Sequence, residues 1–236
     1  MILSDLIILK VVQDNVLNEK IICNKDKIDS LWKQGVSENK SLYNGELLSF
    51  IGLQEHENSI TITGTYVEYK DYWVQRQYPD LNFGIIPIAV SGIILFEVQG
   101  EKYTVMARRR EDVTQYANYW ELVPSGSIDK LFLGIDRIID YKAQLKREFT
   151  EETCLNEDVI QDIRTLALIY DEDSPVYDIC CKIVVNCNIG EIQRSMEGSL
   201  EYYQPKIIKI DELNKFVIEN KHLIIPTSLV IIDFMK

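Results

Sequence analysis

Residues 147–153 read Arg147-Glu148-Phe149-Thr150-Glu151-Glu152-Thr153 and place three carboxylates within five positions of one predicted helix. At about 100° per residue, the apolar residues of this helix form a stripe roughly 80° wide, made by Ile138, Tyr141, Leu145 and Phe149. Measured from Leu145, Glu152 lies about 20° away, Glu148 about 60° away and Glu151 about 120° away. Because an unpaired carboxylate is costly to bury, we expect a cation beside Glu148 and Glu152, and a divalent metal with oxygen ligands meets that need.

The segment Arg147–Leu155 resembles the second half of the Nudix box, whose pattern is G-x5-E-x7-R-E-U-x-E-E-x-G-U with U aliphatic. Upstream, the sequence Trp-Glu-Leu-Val-Pro-Ser-Gly-Ser-Ile of residues 120–128 resembles the strand and glycine loop that lead into that box. The resemblance implies a loop and helix that hold divalent metal against the diphosphate of a substrate.

Three features depart from the box. The spacing from Gly126 to Arg147 is seven residues longer than the pattern, which predicts an insertion over residues 129–135. Ile139 stands where the pattern has its first Glu, and Asp136 and Asp140 lie out of register to replace it. Cys154 stands where the pattern has the Gly that follows the paired glutamates.

The resemblance also implies roles for residues of the box. Glu148, Glu151 and Glu152 would be metal ligands, one of them acting as a base directly or through a bound water. The backbone of Gly126 would supply a further ligand and contact the substrate. Arg147 would orient the carboxylates, and the metal would be Mg²⁺ or Mn²⁺.

Other residues are candidates for binding substrate. Arg109 lies in a triplet of arginines after a predicted strand, and the guanidinium fork suits phosphate oxygens; strand alternation lets only one or two of the three face a ligand. Tyr116 or Tyr119 offers a ring for stacking on a nucleobase. Glu197 and Glu201 precede the last predicted strand, where the family often has another carboxylate, and we interpret them as solvated loop acids.

Composition excludes several classes of partner. The chain has 236 residues and a formal net charge of −12, which disfavours general binding to nucleic acids or anionic membranes. The segment Met1–Leu9 is apolar but carries Asp5 and lacks a basic start, which predicts a strand rather than a signal peptide and a cytoplasmic protein. The cysteines are expected to be buried free thiols. A monomer and a homodimer both stay open.

Periodicity and turn signals predict a mixture of strands and helices. The predicted strands are 3–12, 20–23, 46–54, 59–65, 85–98, 101–108, 120–123, 163–170, 176–187 and 205–210. The predicted helices are 26–34, 66–76, 136–153, 211–220 and 226–235. This pattern favours an α+β fold, which the resemblance specifies as a Nudix-type α/β/α sandwich with a mixed sheet. We expect a small N-terminal α/β module over residues 1–83 and the Nudix domain over 84–236.

The N-terminal part carries a second resemblance. Leu42-Tyr43-Asn44-Gly45 and the tyrosine-rich residues 65–72 are similar to Nudix hydrolases of UDP-sugars. The sequence therefore predicts a metal-dependent pyrophosphohydrolase acting on a nucleoside diphosphate linked to a group X, with a UDP-sugar as the first expectation and other dinucleotides or nucleoside triphosphates open. The alternative, favoured by Ile139 and Cys154, is a Nudix-fold protein that binds a nucleotide as a sensor or regulator without useful turnover.

Overall fold

A computed structural model of the protein describes residues 2–3, 6–12, 19–40, 42–113 and 115–235. The strands in these residues are β1 (Ile2–Leu3), β2 (Ile7–Val11), β3 (Glu46–Glu55), β4 (Ile60–Glu68), β5 (Ile88–Val98), β6 (Glu101–Arg109), β7 (Trp120–Leu122), β8 (Ser125–Ser127), β9 (Ile138–Ile139), β10 (Ile160–Asp171), β11 (Val176–Val185) and β12 (Tyr202–Lys209). The α-helices are α1 (Glu19–Cys23), α2 (Lys25–Glu38), α3 (Tyr69–Gln77), α4 (Tyr141–Thr153), α5 (Ile189–Met196), α6 (Ile210–Asn220) and α7 (Pro226–Asp233).

Two mixed sheets organise the molecule. The larger follows the order β1-β10-β11-β5-β6-β12, with β7 beside β6 and β8 beside β5. In it β11 and β5 run parallel, whereas β5 and β6 run antiparallel. The smaller sheet has the order β3-β4-β2-β9, and β2 and β4 run parallel.

Helices cover both faces of the larger sheet. Successive strand residues point to opposite faces, so Ile94 and Cys181 share one core cluster with residues of α4 and α5. Their neighbours Ile93 and Cys180 share a second cluster with residues of α6 and α7. The larger sheet therefore lies between two helical layers, which confirms an α+β protein with a mixed sheet.

The predicted N-terminal module (residues 1–83) and the predicted Nudix domain (residues 84–236) are connected by strand pairing. Strand β1 pairs with β10, and β2 pairs with β9. Leu9 and Ile62 also belong to the same core cluster as Phe149 of α4. The division into residues 1–83 and 84–236 stays a prediction, and backbone hydrogen bonds cross the proposed boundary.

Several predicted elements are wrong in type or extent. Residues 20–23 form helix α1 rather than a strand, because Ile21 turns into a cluster with Ile28 of α2. The helix predicted over 136–153 begins at Tyr141, because Ile138 and Ile139 pair with β2. Helix α5 was not predicted, although Asn188 and Glu191 form a capping box at its start.

No helix among the described residues is long and apolar enough to cross a membrane. The five cysteines are free thiols, of which Cys180 and Cys181 are buried. Cys23 and Cys154 are exposed, so the prediction of buried thiols is wrong for these two.

Candidate active site

Helix α4 carries the acidic residues of the site. The Asp140 side chain accepts a hydrogen bond from the Ala143 amide at 3.0 Å and so caps the start of the helix. Leu145 and Phe149 are fully buried on its inner face. Glu152 is 0% exposed, which agrees with the azimuth calculated from the sequence.

Glu152 belongs to a buried network that joins three segments. The Ser125 amide donates to Glu152 Oε2 at 3.1 Å, and the Tyr202 hydroxyl lies 3.4 Å from Glu152 Oε1. The same hydroxyl donates to Glu121 Oε2 at 2.7 Å. Arg109 forms an ion pair with Glu121, whose side chain is 3% exposed. The network therefore gathers two buried carboxylates around one phenol and one guanidinium.

The carboxylates of the site repel one another in a poorly solvated place. Burial raises the pKa of Glu152 well above its ordinary value, and the charges of Glu121 and Glu148 raise it further. Burial also raises the pKa of Glu148 to about 7. The pKa of Glu201 is raised by partial burial and by the charge of Glu121. Extra positive charge would relieve this repulsion.

Gly126 lets the backbone of β8 approach Glu148 closely. A Cβ atom at this position would lie 2.2 Å from Glu148 Cδ, so a larger residue would displace that side chain. Gln144 donates to Glu148 Oε1 at 2.5 Å and fixes the carboxylate from the other side. The structure thus brings together Gly126, Glu148 and Glu152 as the sequence predicts.

Glu151 and Arg147 lie at the outer edge of this group. The Arg147 guanidinium donates to Glu151 Oε1 at 2.8 Å and to Asp129 Oδ2 at 3.1 Å. The Glu151 side chain is 49% exposed and is paired with Arg147. Its predicted role as a ligand stays a prediction, as does the role of Arg147 in orienting carboxylates.

A cavity of about 500 Å³ opens beside the carboxylates. The C-terminal part of the chain supplies the acidic floor and the glycine loop, and the N-terminal part supplies one wall. That wall consists of Glu46, Leu47, Tyr69 and Tyr72. A ligand in the cavity would therefore contact both parts of the chain.

Of the predicted substrate residues, Arg109, Tyr116 and Gly126 line this cavity. The Arg109 guanidinium is paired with the Glu121 carboxylate. Its positive charge therefore lies beside the carboxylates of the site rather than in open solvent. The Tyr116 hydroxyl donates to Asp171 Oδ2 at 3.1 Å, and burial raises the pKa of Tyr116 to about 12. The Tyr119 ring packs on Tyr116 with 5.5 Å between centroids. Stacking of either ring on a base stays a prediction.

Gln115 joins three segments at the mouth of the cavity. Its Nε2 atom donates to the Tyr72 hydroxyl at 3.0 Å, and its Oε1 atom accepts from the Ser174 hydroxyl at 3.2 Å. Tyr72 belongs to α3, and Ser174 to the turn between β10 and β11. These bonds fix the loop after β6 against the N-terminal wall.

Sequence reasoning missed Glu121, Tyr202 and Asp178. Glu121 follows the buried Trp120 in a short apolar strand. A charged residue inside such a strand is the sequence feature that could have indicated its place in the site. Asp178 is 5% exposed and accepts from the Ser91 hydroxyl at 2.9 Å; burial raises its pKa to about 7. Tyr202 has no local signal, because its partner Glu121 lies 81 positions away in the chain.

The donor set fits a hard divalent cation by its chemistry. Glu148, Glu152 and the Gly126 carbonyl would offer oxygen ligands, the type that Mg²⁺ and Mn²⁺ prefer. Within the described ranges, no three acidic, histidine or cysteine side chains are already arranged as a metal site. Gln144 and Ser125 hold the two carboxylates instead, so a cation would replace at least part of this hydrogen bonding.

Comparison with known proteins gives similarity at the level of structure. No protein-family model matches the chain, and no curated protein matches it. The structure is similar to the Nudix domain of NrtR from Shewanella oneidensis in complex with ADP ribose, at 12% identity over 69% of this chain and 94% of that chain, with a TM-score of 0.45. It is similar to DR0079 from Deinococcus radiodurans, at 13% identity over 74% and 90%, with a TM-score of 0.47. It is also similar to a MutT protein from Methanosarcina mazei Go1, at 21% identity over 63% and 88%, with a TM-score of 0.42. Scores below 0.5 leave this likeness too loose to assign a reaction or a substrate.

Proposed function

We propose that the protein is a Nudix hydrolase that uses Mg²⁺ or Mn²⁺ to cleave a nucleoside diphosphate linked to a group X. The observation that carries this proposal is the pair of poorly solvated carboxylates, Glu148 and Glu152, held against the Gly126 backbone beside a cavity. Carboxylates buried without a full complement of positive charge are expensive unless a cation joins them.

The reaction is a displacement at phosphorus. The oxygen of a water molecule forms a bond to one phosphorus, and the bridging P–O bond breaks, giving a nucleoside monophosphate and the phosphate of X. Glu148, Glu152 and the Gly126 carbonyl would hold the metal, with Glu151 joining them. When bound, the metal neutralises diphosphate charge.

The remaining polar groups have separate tasks in this proposal. Tyr202 and the Ser125 amide hold Glu152 in place through the bonds at 3.4 and 3.1 Å. Arg109 stands at the cavity edge and offers positive charge to a phosphate. Arg147, paired with Asp129, fixes the insertion against α4 at the mouth of the site.

A UDP-sugar is the substrate we propose first. The cavity wall supplies hydrogen-bonding groups suited to sugar hydroxyls, among them Gln115, Asp171 and Ser174, and the Tyr72 ring lies beside them. The Tyr43-Asn44-Gly45 motif supports this choice through the resemblance alone. Tyr43 is 80% exposed, and the Asn44 side chain accepts from the Lys70 amide at 2.9 Å, so the motif shapes the start of α3.

A substrate panel tests both levels of the proposal. UDP-sugars, ADP-ribose and nucleoside triphosphates are incubated with the protein and Mg²⁺ or Mn²⁺, and products are identified by mass. We expect UMP and a sugar phosphate to form fastest. Another substrate preferred by about ten-fold in kcat/KM would overturn the UDP-sugar assignment alone. Failure of the protein to cleave any of these compounds would overturn the proposal that it is a hydrolase.

One observation favours a nucleotide-binding protein without turnover as the second candidate. Ile139, at the position of the first Glu of the box, is 2% exposed and pairs with Leu9 of β2. Asp136 and Asp140 bond to nearby amides at 3.1 and 3.0 Å, which ties them to local structure. Tight binding of a panel member in calorimetry, with no product in the same sample, would support this candidate.

A further inference from the structure

A second cavity, of about 830 Å³, adjoins the candidate active site. It is framed by α1, α2, β3, β4, the start of α3 and residues 83–85. The apolar part of its lining comes from Ile21, Ile22, Ile28, Phe50, Ile51, Val67, Phe83 and Ile85, and the charged residues Lys25, Glu68, Lys70 and Lys130 also line it. Glu46 is shared with the first cavity. The space is large enough for a small organic molecule.

One buried carboxylate faces this apolar space. Asp71 of α3 is 6% exposed and lines the cavity. Among the described residues, no side chain or amide donates a hydrogen bond to it. The charge of its neighbour Lys70 lowers the pKa of Asp71, but the Lys70 ammonium makes its ion pairs with Asp29 at 2.8 Å and Glu68 at 2.7 Å.

This arrangement is unfavourable without a ligand. Burial raises the pKa of Asp71 to about 6, and the charge of Glu68 adds to the effect. At neutral pH the carboxylate is largely ionised, faces the cavity and receives no hydrogen bond from the described residues, so only solvent or a ligand in the cavity can donate to it. A ligand with a cationic donor would relieve it.

We propose that this cavity binds a small amine with an apolar body. The ammonium group donates to the Asp71 carboxylate, and the apolar body packs against Ile28, Phe83 and Ile85. The charge-assisted hydrogen bond gives the site its selectivity, and burial of the apolar body supplies much of the affinity. Anions are disfavoured at Asp71 by direct repulsion.

Calorimetry with the whole protein tests the site, using tryptamine as the probe at about pH 8, where Asp71 is ionised. Tryptophol replaces the ammonium by a hydroxyl, and indole-3-propionate replaces it by a carboxylate. We expect tryptamine to bind more tightly than either analogue by about ten-fold or more. Equal or tighter binding of either analogue, or no binding of tryptamine at millimolar concentration, would overturn the proposal.

Variants locate the binding. Asp71→Asn keeps the shape and removes the charge, and it should weaken tryptamine binding by about ten-fold. Asp26→Asn is the matched control, because it removes a negative charge from an exposed position of α2 outside the cavity lining, and it should leave binding unchanged. Val67→Phe fills the cavity without altering Asp71 and should abolish binding. Binding of tryptamine to Asp71→Asn as tight as to the parent, or detectable binding to Val67→Phe, would overturn the site. Neither nucleotide nor divalent ion is present, so the result is independent of the hydrolase proposal.

Discussion

The substitution Glu148→Gln should stabilise the protein in metal-free buffer, and the gain should depend on pH. Burial raises the pKa of Glu148 to about 7 from the ordinary value of 4.5. A carboxyl with a raised folded-state pKa binds its proton more tightly in the folded protein, so the parent loses stability as pH rises from about 4.5 to about 7. At about 1.4 kcal/mol per pH unit, the full loss is about 3 kcal/mol.

The glutamine variant escapes this loss because it does not ionise. It can still accept the hydrogen bond from Gln144 that Glu148 accepts at 2.5 Å. In EDTA at about pH 8.5, its free energy of unfolding should exceed that of the parent by about 3 kcal/mol, which corresponds to a melting temperature about 10 °C higher. At about pH 4 the difference should vanish.

Thermal and urea denaturation across this pH range provide the assay. Glu219→Gln is the matched control, because it removes the same charge from an exposed position of α6. It should show little change in stability at any pH. A Glu148→Gln gain that is equal at low and high pH, or a loss of stability at high pH, would refute the claim that Glu148 is ionised at a cost in the folded protein.

Three further substitutions test separate parts of the account. Cys154→Gly should raise the free energy of unfolding by several tenths of a kcal/mol, because Cys154 ends α4 with φ of 57°, where glycine is less strained; urea denaturation showing no gain would contradict this. Gly126→Ala should lower kcat by about a hundred-fold, because the new Cβ displaces the Glu148 carboxylate; unchanged kinetics would separate this contact from activity. Tyr72→Phe should raise KM about three-fold with little change in kcat, because it removes the hydroxyl that bonds to Gln115 at the cavity mouth; an equal fall in kcat and kcat/KM would place Tyr72 in the chemical step instead.

Helical periodicity predicted which residues of α4 are buried at the site. The positions of Leu145, Phe149 and Glu152 around α4 follow from 3.6 residues per turn, and the structure buries all three. The same periodicity failed for Ile138, which is 39% exposed. Ile138 and Ile139 pair with β2 just before α4 begins. Because their partners lie about 130 positions away in the chain, the local sequence pattern does not indicate this pairing.

Long-range networks account for the rest of what the sequence did not predict. The Tyr202 hydroxyl meets Glu121 and Glu152 only after β12 and β7 pair with β6. The bond from Gln115 to Tyr72 likewise depends on packing of α3 against the loop after β6. Composition and spacing describe each residue alone, whereas these roles arise from contacts between elements.

Metal-dependent hydrolysis by the Glu152→Gln variant tests the central claim most directly. Glutamine keeps the size of Glu152 and removes the charge that would hold Mg²⁺ or Mn²⁺, and relief of carboxylate repulsion should leave the variant at least as stable as the parent in EDTA. We predict that Mn²⁺ raises the melting temperature of the parent, that Glu152→Gln loses this rise and loses hydrolysis by about a hundred-fold or more, and that the exposed control Glu157→Gln keeps both. Retained activity, or an unchanged Mn²⁺-induced rise, would contradict the account and make Glu152 an ordinary buried residue of the helix.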